Sequence, residues 1–330
     1  MMILFSSSTA SESPLSNPIY LSELPAASSP LLQVSVSGQR ICGVNAGNEV
    51  FCAPTTIDNT QWNLWGYGGY TWFKKTGLLK QISIYGQKAC GVDPANKVLC
   101  AENIDNPFWN TIEPPANVLI AQIDLNGDRM CGVTTDVVLS EGGASLGGKI
   151  FCAPFNQNAW TEKSGILNHI SIDGAHACGT NSIGDVYCTE DIENPSWNNI
   201  NNPGRQLKNI DVKGSTICGT DTSDNIYCAS FNQNNWVQLP GALKFVSIDG
   251  TNIVGTNSGG SIFISNDVTE NSPVRCNAGG DPNAVYRVSN NQIRGYPSPE
   301  IAASWDPNWQ QATMVDCTNL DIGPAMEMKQ

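Results

Sequence analysis

The sequence of 330 residues is short of histidine, of clustered positive charge and of long apolar runs, and each shortage removes a class of function. Its two histidines are His169 and His176, and it has no nucleophile elbow, phosphate-binding loop or paired-histidine metal motif, so no enzymatic activity is expected. Lys and Arg number 17 against 30 Asp and Glu, a formal net charge of −13, with no basic run that could neutralise a phosphate backbone. Nucleic acid is therefore not an expected partner. No segment approaches the roughly 18 consecutive apolar residues of a spanning helix, so no transmembrane segment is expected. Asparagine is common, yet the nearest approach to an N-glycosylation acceptor, at Asn194, is spoiled by Pro195.

Cysteine is the exception. The chain holds 12, which points to an oxidising compartment if they pair. Ten of them fall in a repeated pattern: "VSVSGQRICGVNAGNEVFC", "ISIYGQKACGVDPANKVLC", "IDLNGDRMCGV" with "GGKIFC", "ISIDGAHACGTNSIGDVYC" and "IDVKGSTICGTDTSDNIYC". The pairs are Cys42 with Cys52, Cys90 with Cys100, Cys131 with Cys152, Cys178 with Cys188, and Cys218 with Cys228. A sixth copy, "VSIDGTNIVGTNSGGSIFI", has Val254 and Ile264 at the two positions. Losing both together is what a mutual disulfide predicts, because a single loss would leave a free thiol. The spacing matches neither the close C-x2–4-C sets of zinc sites nor a C-x-x-C redox motif.

Between the cysteines lies a short loop ending at Asn48, Asn96, Gly148, Gly184, Asp224 or Gly260. These residue types tolerate the left-handed backbone that closes a three-residue hairpin turn. Each pair then sits opposite across an antiparallel ladder, where a disulfide fits. The third copy carries "TTDVVLSEGGASLGG", which lengthens its hairpin loop.

After each hairpin come a polar loop, a Trp and a short stretch leading to the next apolar strand, as in "APFNQNAWTEKSGILNHISI". That makes four strands per unit, with no amphipathic helix of useful length. The fold class is therefore all-β: a six-bladed β-propeller of four-stranded blades with disulfides across the hairpins, over residues 19–273. Residues 1–18 read as a tail left by a truncated or processed leader, and 274–330 as a small C-terminal module containing a disulfide. The sixth unit lacks its Trp strand, and "IYLSELP" near the N-terminus is expected to complete it, with Tyr20 standing where Trp stands elsewhere. That would remove an open sheet edge. The loops alternate as well, "AENIDNP" and "TEDIENP" against "APFNQNAW" and "ASFNQNNW", so blades of two types alternate.

The stretch "NWVQLPGALKFVSIDG", with "CGVN" and "IYC", resembles the tectonin repeat over about residues 19–273. Tectonins are six-bladed propeller lectins that bind lipopolysaccharide or methylated sugars. The resemblance implies a carbohydrate-binding lectin recognising cell-surface or microbial glycans. Where many tectonins have W-G-V-N this chain has "CGVN" or "CGTN", so any role of that Trp is not carried over. The chain is more weakly similar to the regulator-of-chromosome-condensation propellers, whose asparagine-glycine-glutamine signature it lacks.

The best binding candidates are the loops before the Trp strands. Phe155, Asn156, Gln157, Asn158 and Trp160, and their counterparts Phe231, Asn232, Gln233, Asn234 and Trp236, offer amides beside flat rings, which suits sugar hydroxyls and C–H faces. Asn103, Asp105 and Trp109, with Asp191, Glu193 and Trp197, extend the set in the alternate units. Two structural roles compete: Trp62, Trp109, Trp160, Trp197 and Trp236 as blade packing, and the Asn and Gln as turn formers.

"DLNGD", Asp124 to Asp128, looks like half a calcium loop, but it aligns with "SIDGA" and "DVKGS" and lacks the downstream Glu. No cofactor is expected, a calcium shared by several acidic loops being the one open exception. His176 shares its repeat position with Lys88, Arg129 and Thr216, and so reads as variable scaffold. In the tail, Cys276 and Cys317 are expected to pair, with Tyr286, Tyr296, Trp305 and Trp309 as an aromatic cluster. The expected partners are glycans or lipopolysaccharide-like surfaces and, through the C-terminal module, other extracellular proteins. The expected location is secreted, extracellular. A different class of function fits the same repeats: a structural or adhesive propeller that binds proteins in an extracellular coat.

Overall fold

The computed structural model describes residues 20–24, 26–55, 72–135, 138–139, 145–200, 205–250, 252–266, 273–278, 281, 284–289, 292–306, 309–316 and 321–328. The first 18 residues, Trp62 and Cys317 lie outside them.

Alternating apolar residues in each repeat fold into antiparallel sheets whose strands follow chain order from the inside outwards. The first sheet is Leu31–Ser37, Arg40–Asn45, Glu49–Pro54 and Phe73–Leu78; the second is Gln81–Tyr85, Lys88–Val92, Val98–Ala101 and Asn110–Ile112. The third is Ile120–Asn126, Arg129–Thr134, Ser145–Pro154 and Thr161–Leu167, and its long hairpin adds the two-residue strand Val138–Leu139. His169–Asp173, His176–Thr180, Val186–Thr189 and Asn198–Ile200 make the fourth. Leu207–Lys213, Thr216–Asp221, Asn225–Ser230 and Val237–Ala242 make the fifth. In the sixth, Phe245–Asp249, Asn252–Thr256 and Ile262–Asn266 are followed on the outer edge by Tyr20–Leu24.

The second and third strands place each cysteine opposite its partner, as the repeat predicts. Five disulfides form there, each with a Cα–Cα separation of 4.1 Å. In the sixth sheet Val254 faces Ile264 in the same register. The turn residues Asn48, Asn96, Asp224, Gly184 and Gly260 have positive φ. In the lengthened third hairpin the expected Gly148 does not end the turn: it lies in the strand Ser145–Pro154 opposite Leu167, and the positive φ there is at Gly147, opposite Val138.

The N-terminal strand completes the sixth sheet, with Ser22 opposite Ile264. Elsewhere the partner of the second cysteine directly follows the Trp: Asn110 after Trp109, Thr161 after Trp160, Asn198 after Trp197, Val237 after Trp236. By that register Leu21, not Tyr20, takes the Trp position. In the first sheet Phe73 faces Cys52, so Trp72 rather than Trp62 is the repeat Trp.

Among the described residues six apolar clusters lie between neighbouring sheets, and their order is cyclic. Val34, Ile41 and Phe51 of the first sheet pack on Val254, Ile262, Ile264 and Leu24 of the sixth. A circle of hydrogen bonds runs through the inner strands, each made by an inward side chain to a backbone N–H of the next sheet. Ser35 accepts from Ile84, Ser83 from Leu125, Asp124 from Ile172, Ser171 from Val212, Asp211 from Ile248 and Ser247 from Val36, at 2.7–3.1 Å. Burying these N–H groups unpaired would cost about 1–3 kcal/mol each, so the circle is a main reason the sheets hold their order.

Residues beyond 272 form a separate mixed sheet, ordered Thr313–Asp316, Pro273–Ala278, Tyr286–Ser289, Gln292–Gly295 and Asp321–Ile322. It also holds a helix, Pro299–Trp305, that the strand pattern does not predict. Ser298 caps that helix and Pro299 opens it. Cys276 is disulfide-bonded. The expected aromatics act mainly through their polar ends: Tyr296 donates to Asp306, which Arg287 grips at 2.7 and 2.8 Å, and Trp305 donates to the Glu327 carbonyl.

Candidate functional site

Because the strands alternate in direction, the turns between first and second strands share one end of the sheets with the loops between third and fourth. All the predicted loops lie at that end. The structure brings their members into contact with the preceding sheet.

Phe155 is 7% exposed and lies under the Lys88 ammonium, 4.6 Å from the ring centre. Its counterpart Phe231 stacks on His176 at 4.2 Å. Asn156 and Asn232 have φ near +60°, the turn role anticipated for them, and tie back to the previous sheet through Glu102 and Asn110, and Glu190 and Asn198. Asn158 accepts from the Glu113 N–H. Gln157, Asn158, Gln233 and Asn234 remain exposed.

The Trp rings fall into two kinds. Trp109 and Trp197 pack over Gly77 and Gly165 of the preceding fourth strand and donate to the Thr76 and Ser164 carbonyls at 2.7 Å. Those glycines have φ of +97° and +116°, and an added Cβ would lie 2.5 and 2.4 Å from the indole nitrogens. Leu21 occupies the same place over Gly241. Trp160 and Trp236 pack on the clusters before their own sheets, with their Nε1 atoms buried and unpartnered. Trp72 packs on the cluster joining the sixth and first sheets.

The acidic loops of the second and fourth sheets are tied in turn. Asn103 accepts from the Asp105 N–H and Asp191 from the Glu193 N–H, both at 2.9 Å. Asp191 is held below the usual carboxylate range by the Asn194 side-chain bond and that N–H. Glu193 reaches back to the third sheet, where it pairs with Lys163 and, at 2.7 Å, with Arg129. These bonds, Lys163's foremost, lower its pKa.

Around this trio opens a cleft of about 660 Å³ between the third and fourth sheets, lined also by Asn126, Asp128, Pro154 and Thr161. The first and second sheets repeat the trio as Arg40, Lys75 and Asp105, with Arg40 to Asp105 at 2.6 Å. The sequence patterns overlooked these cations. The signal was "RIC" in the first copy and "RMC" in the third, visible once alternate copies are compared separately.

The half calcium loop is divided. Asp128 is exposed and pairs with Lys88, whereas Asp124 lies inside the circle of inner strands. Among the described residues no group of three or more His, Cys, Asp or Glu is placed to hold a metal. Ser171 Oγ sits 3.1 Å from Asp124 and 2.6 Å from Asp211. Burial, reinforced by the Asp124 charge, pushes the Asp211 carboxyl up to about 7, and burial raises Asp124 too. At the start of the fourth sheet's first strand His169 is pushed down to about 4 by burial, with Nδ1 unpartnered.

Residues 132–274 match the Tectonin domain family, from the second strand of the third sheet to the start of the C-terminal sheet. That is somewhat less than half of the chain. Among solved structures, the WD40 β-propeller domain of Doa1 is 11% identical with a TM-score of 0.49, over 75% of this chain and 97% of that one. U3-55K is 13% identical with a TM-score of 0.48, over 73% and 82%. Yeast RCC1 (Prp20), solved with Kap60, is 10% identical with a TM-score of 0.42, over 71% and 65%. No curated protein sequence matches the chain.

Proposed function

With a Tectonin domain across residues 132–274 as premise, we propose that residues 20–266 form a six-bladed β-propeller lectin. Its cyclic order of sheets, completed by the N-terminal strand, supports the blade count. The C-terminal sheet is then a separate small module held by a disulfide at Cys276. The single observation that carries the binding reading is that the polar loops gather at one end, beside a cleft of about 660 Å³, within the size range of small-ligand sites.

The ligands are cell-surface or microbial glycans, including lipopolysaccharide-like surfaces. They are bound without chemical conversion at a few weak sites that gain strength by avidity on a repetitive surface. Five disulfides suit an extracellular protein. No helix of the described residues is long and apolar enough to cross a membrane.

Retention on immobilised polysaccharide tests the proposal. Elution by free sugar is the expected result. Passage through every polysaccharide matrix, by protein with its disulfides intact, would overturn it in favour of a protein-binding propeller.

A further inference from the structure

The sheets alternate in kind, so six sheets make three odd–even junctions at the loop end, the third and fourth sheets enclosing the cleft described above. At the first two junctions three positions converge: the residue opening the odd sheet's second strand, the residue of its fourth strand facing the position two before the second cysteine, and an acid in the even sheet's loop. The first junction has Arg40, Lys75 and Asp105; the next has Arg129, Lys163 and Glu193. At the last junction Thr216 and Leu239 stand at the two cation positions. Lys75 faces Val50, Lys163 faces Ile150 and Leu239 faces Ile226, so the three junctions share one register.

Resting on the lectin reading, we propose that the first two junctions, not six loops, are the sugar sites, and that each takes a vicinal diol of a neutral hexopyranose. Lys163 is only 8% exposed, yet its ammonium is held at the cleft wall by the Glu193 carboxylate, and the Arg129 guanidinium is fixed there by the Gly174 carbonyl at 2.8 Å. Fixed cationic donors beside a carboxylate acceptor suit adjacent hydroxyls, because each hydroxyl both donates and accepts. A neutral ligand fits better than an anionic one. The Glu193 carboxylate already pairs with both Arg129 and Lys163, and an anion would have to displace it from both cations. At the Thr161 position the first junction has Phe73, 56% exposed, with the Lys75 ammonium 5.8 Å from its ring centre, an apolar face for sugar C–H groups.

The test compares retention on immobilised mannan, galactan and dextran with retention on polygalacturonate, for the full chain and for Glu193→Gln, Asp105→Asn and the double variant. Melting temperatures and disulfide content establish that the variants are folded. Expected is sugar-competed, salt-insensitive retention on at least one neutral matrix, reduced by either single change and abolished by both. Retention confined to polygalacturonate would overturn the neutral-diol assignment. Retention that survives both changes but is lost in Gln157→Ala/Gln233→Ala would overturn the junction assignment and leave the lectin reading standing. Failure to bind any matrix would remove both.

Discussion

Replacing Asp211 by Asn should stabilise the protein at neutral and alkaline pH and do little near pH 4. Asp211 sits in the circle of inner strands, accepting from the Ile248 N–H and facing Ser171, whose single proton cannot serve both Asp211 and Asp124. Its carboxyl stays protonated to about pH 7, against 3.8 for the free side chain, because burial and the Asp124 charge disfavour ionisation. A raised folded pKa contributes stability that is fully present below pH 3.8 and lost as pH rises to about 7. At about 1.4 kcal/mol per pH unit, the loss amounts to about 4 kcal/mol.

Asparagine keeps the acceptor for Ile248 and offers Ser171 an N–H where the protonated acid offers an O–H, without ionising. The gain of variant over wild type should therefore grow from near zero at pH 4 to about 4 kcal/mol above pH 7. His169 works in the opposite sense. Its folded pKa is lowered from 6.5 to about 4, so its contribution is present above pH 6.5 and lost as pH falls to about 4. That opposition makes wild-type stability flatter than either group alone would, and the difference between variant and wild type removes the His169 contribution, leaving that of Asp211 with its coupled neighbour Asp124. Urea unfolding of the oxidised protein between pH 4 and 8 measures it. A destabilisation of equal size at both ends, or a gain that does not change with pH, would refute the reasoning.

Giving the fourth sheet the residues of the sixth, Cys178→Val with Cys188→Ile, should cost about 3 kcal/mol, the entropy of the short loop the disulfide closes, measured by urea unfolding. The converse, Val254→Cys with Ile264→Cys, should add a disulfide, detected by alkylation and mass spectrometry as no increase in free thiols. Gly165→Ala should cost about 2–4 kcal/mol in thermal unfolding, since its φ is +116° and a Cβ would strike the Trp197 indole. Trp197→Leu, which copies Leu21 over Gly241, should lose the bond to Ser164 at a cost of about 1–3 kcal/mol, read in the same melts.

The hairpin disulfides and the strand exchange at the N-terminus were legible because both rest on period-two alternation and on cysteines that must face one another. Single-residue register was less legible. Tyr20 and Leu21 are adjacent, and a slip of one residue turns a side chain to the other face. Trp62 and Trp72 lie in a segment rich in Trp, Tyr and Gly, and only the residue opposite Cys52 tells them apart.

The cleft cations were lost by pooling all six repeats. Averaged with Lys88, His176 and Thr216, Arg129 looks variable; set beside Arg40 alone, it is the same residue making the same two bonds. Asp124 resembles a calcium ligand in sequence because Asp128 follows it, whereas its neighbours in space are Ser83, Ser171 and Asp211. The helix at Pro299–Trp305 is too short to show a period, and its one sequence mark is the cap "SPE".

Saccharide binding by the sheets of residues 20–266 separates a lectin from a protein-binding propeller. A glycan array probed with the fully oxidised protein, with and without added calcium, is the measurement to make. The expected result is a selective signal on neutral glycans that free sugar competes away and calcium leaves unchanged. A blank array, with and without calcium, from protein whose five hairpin disulfides are verified would contradict saccharide binding.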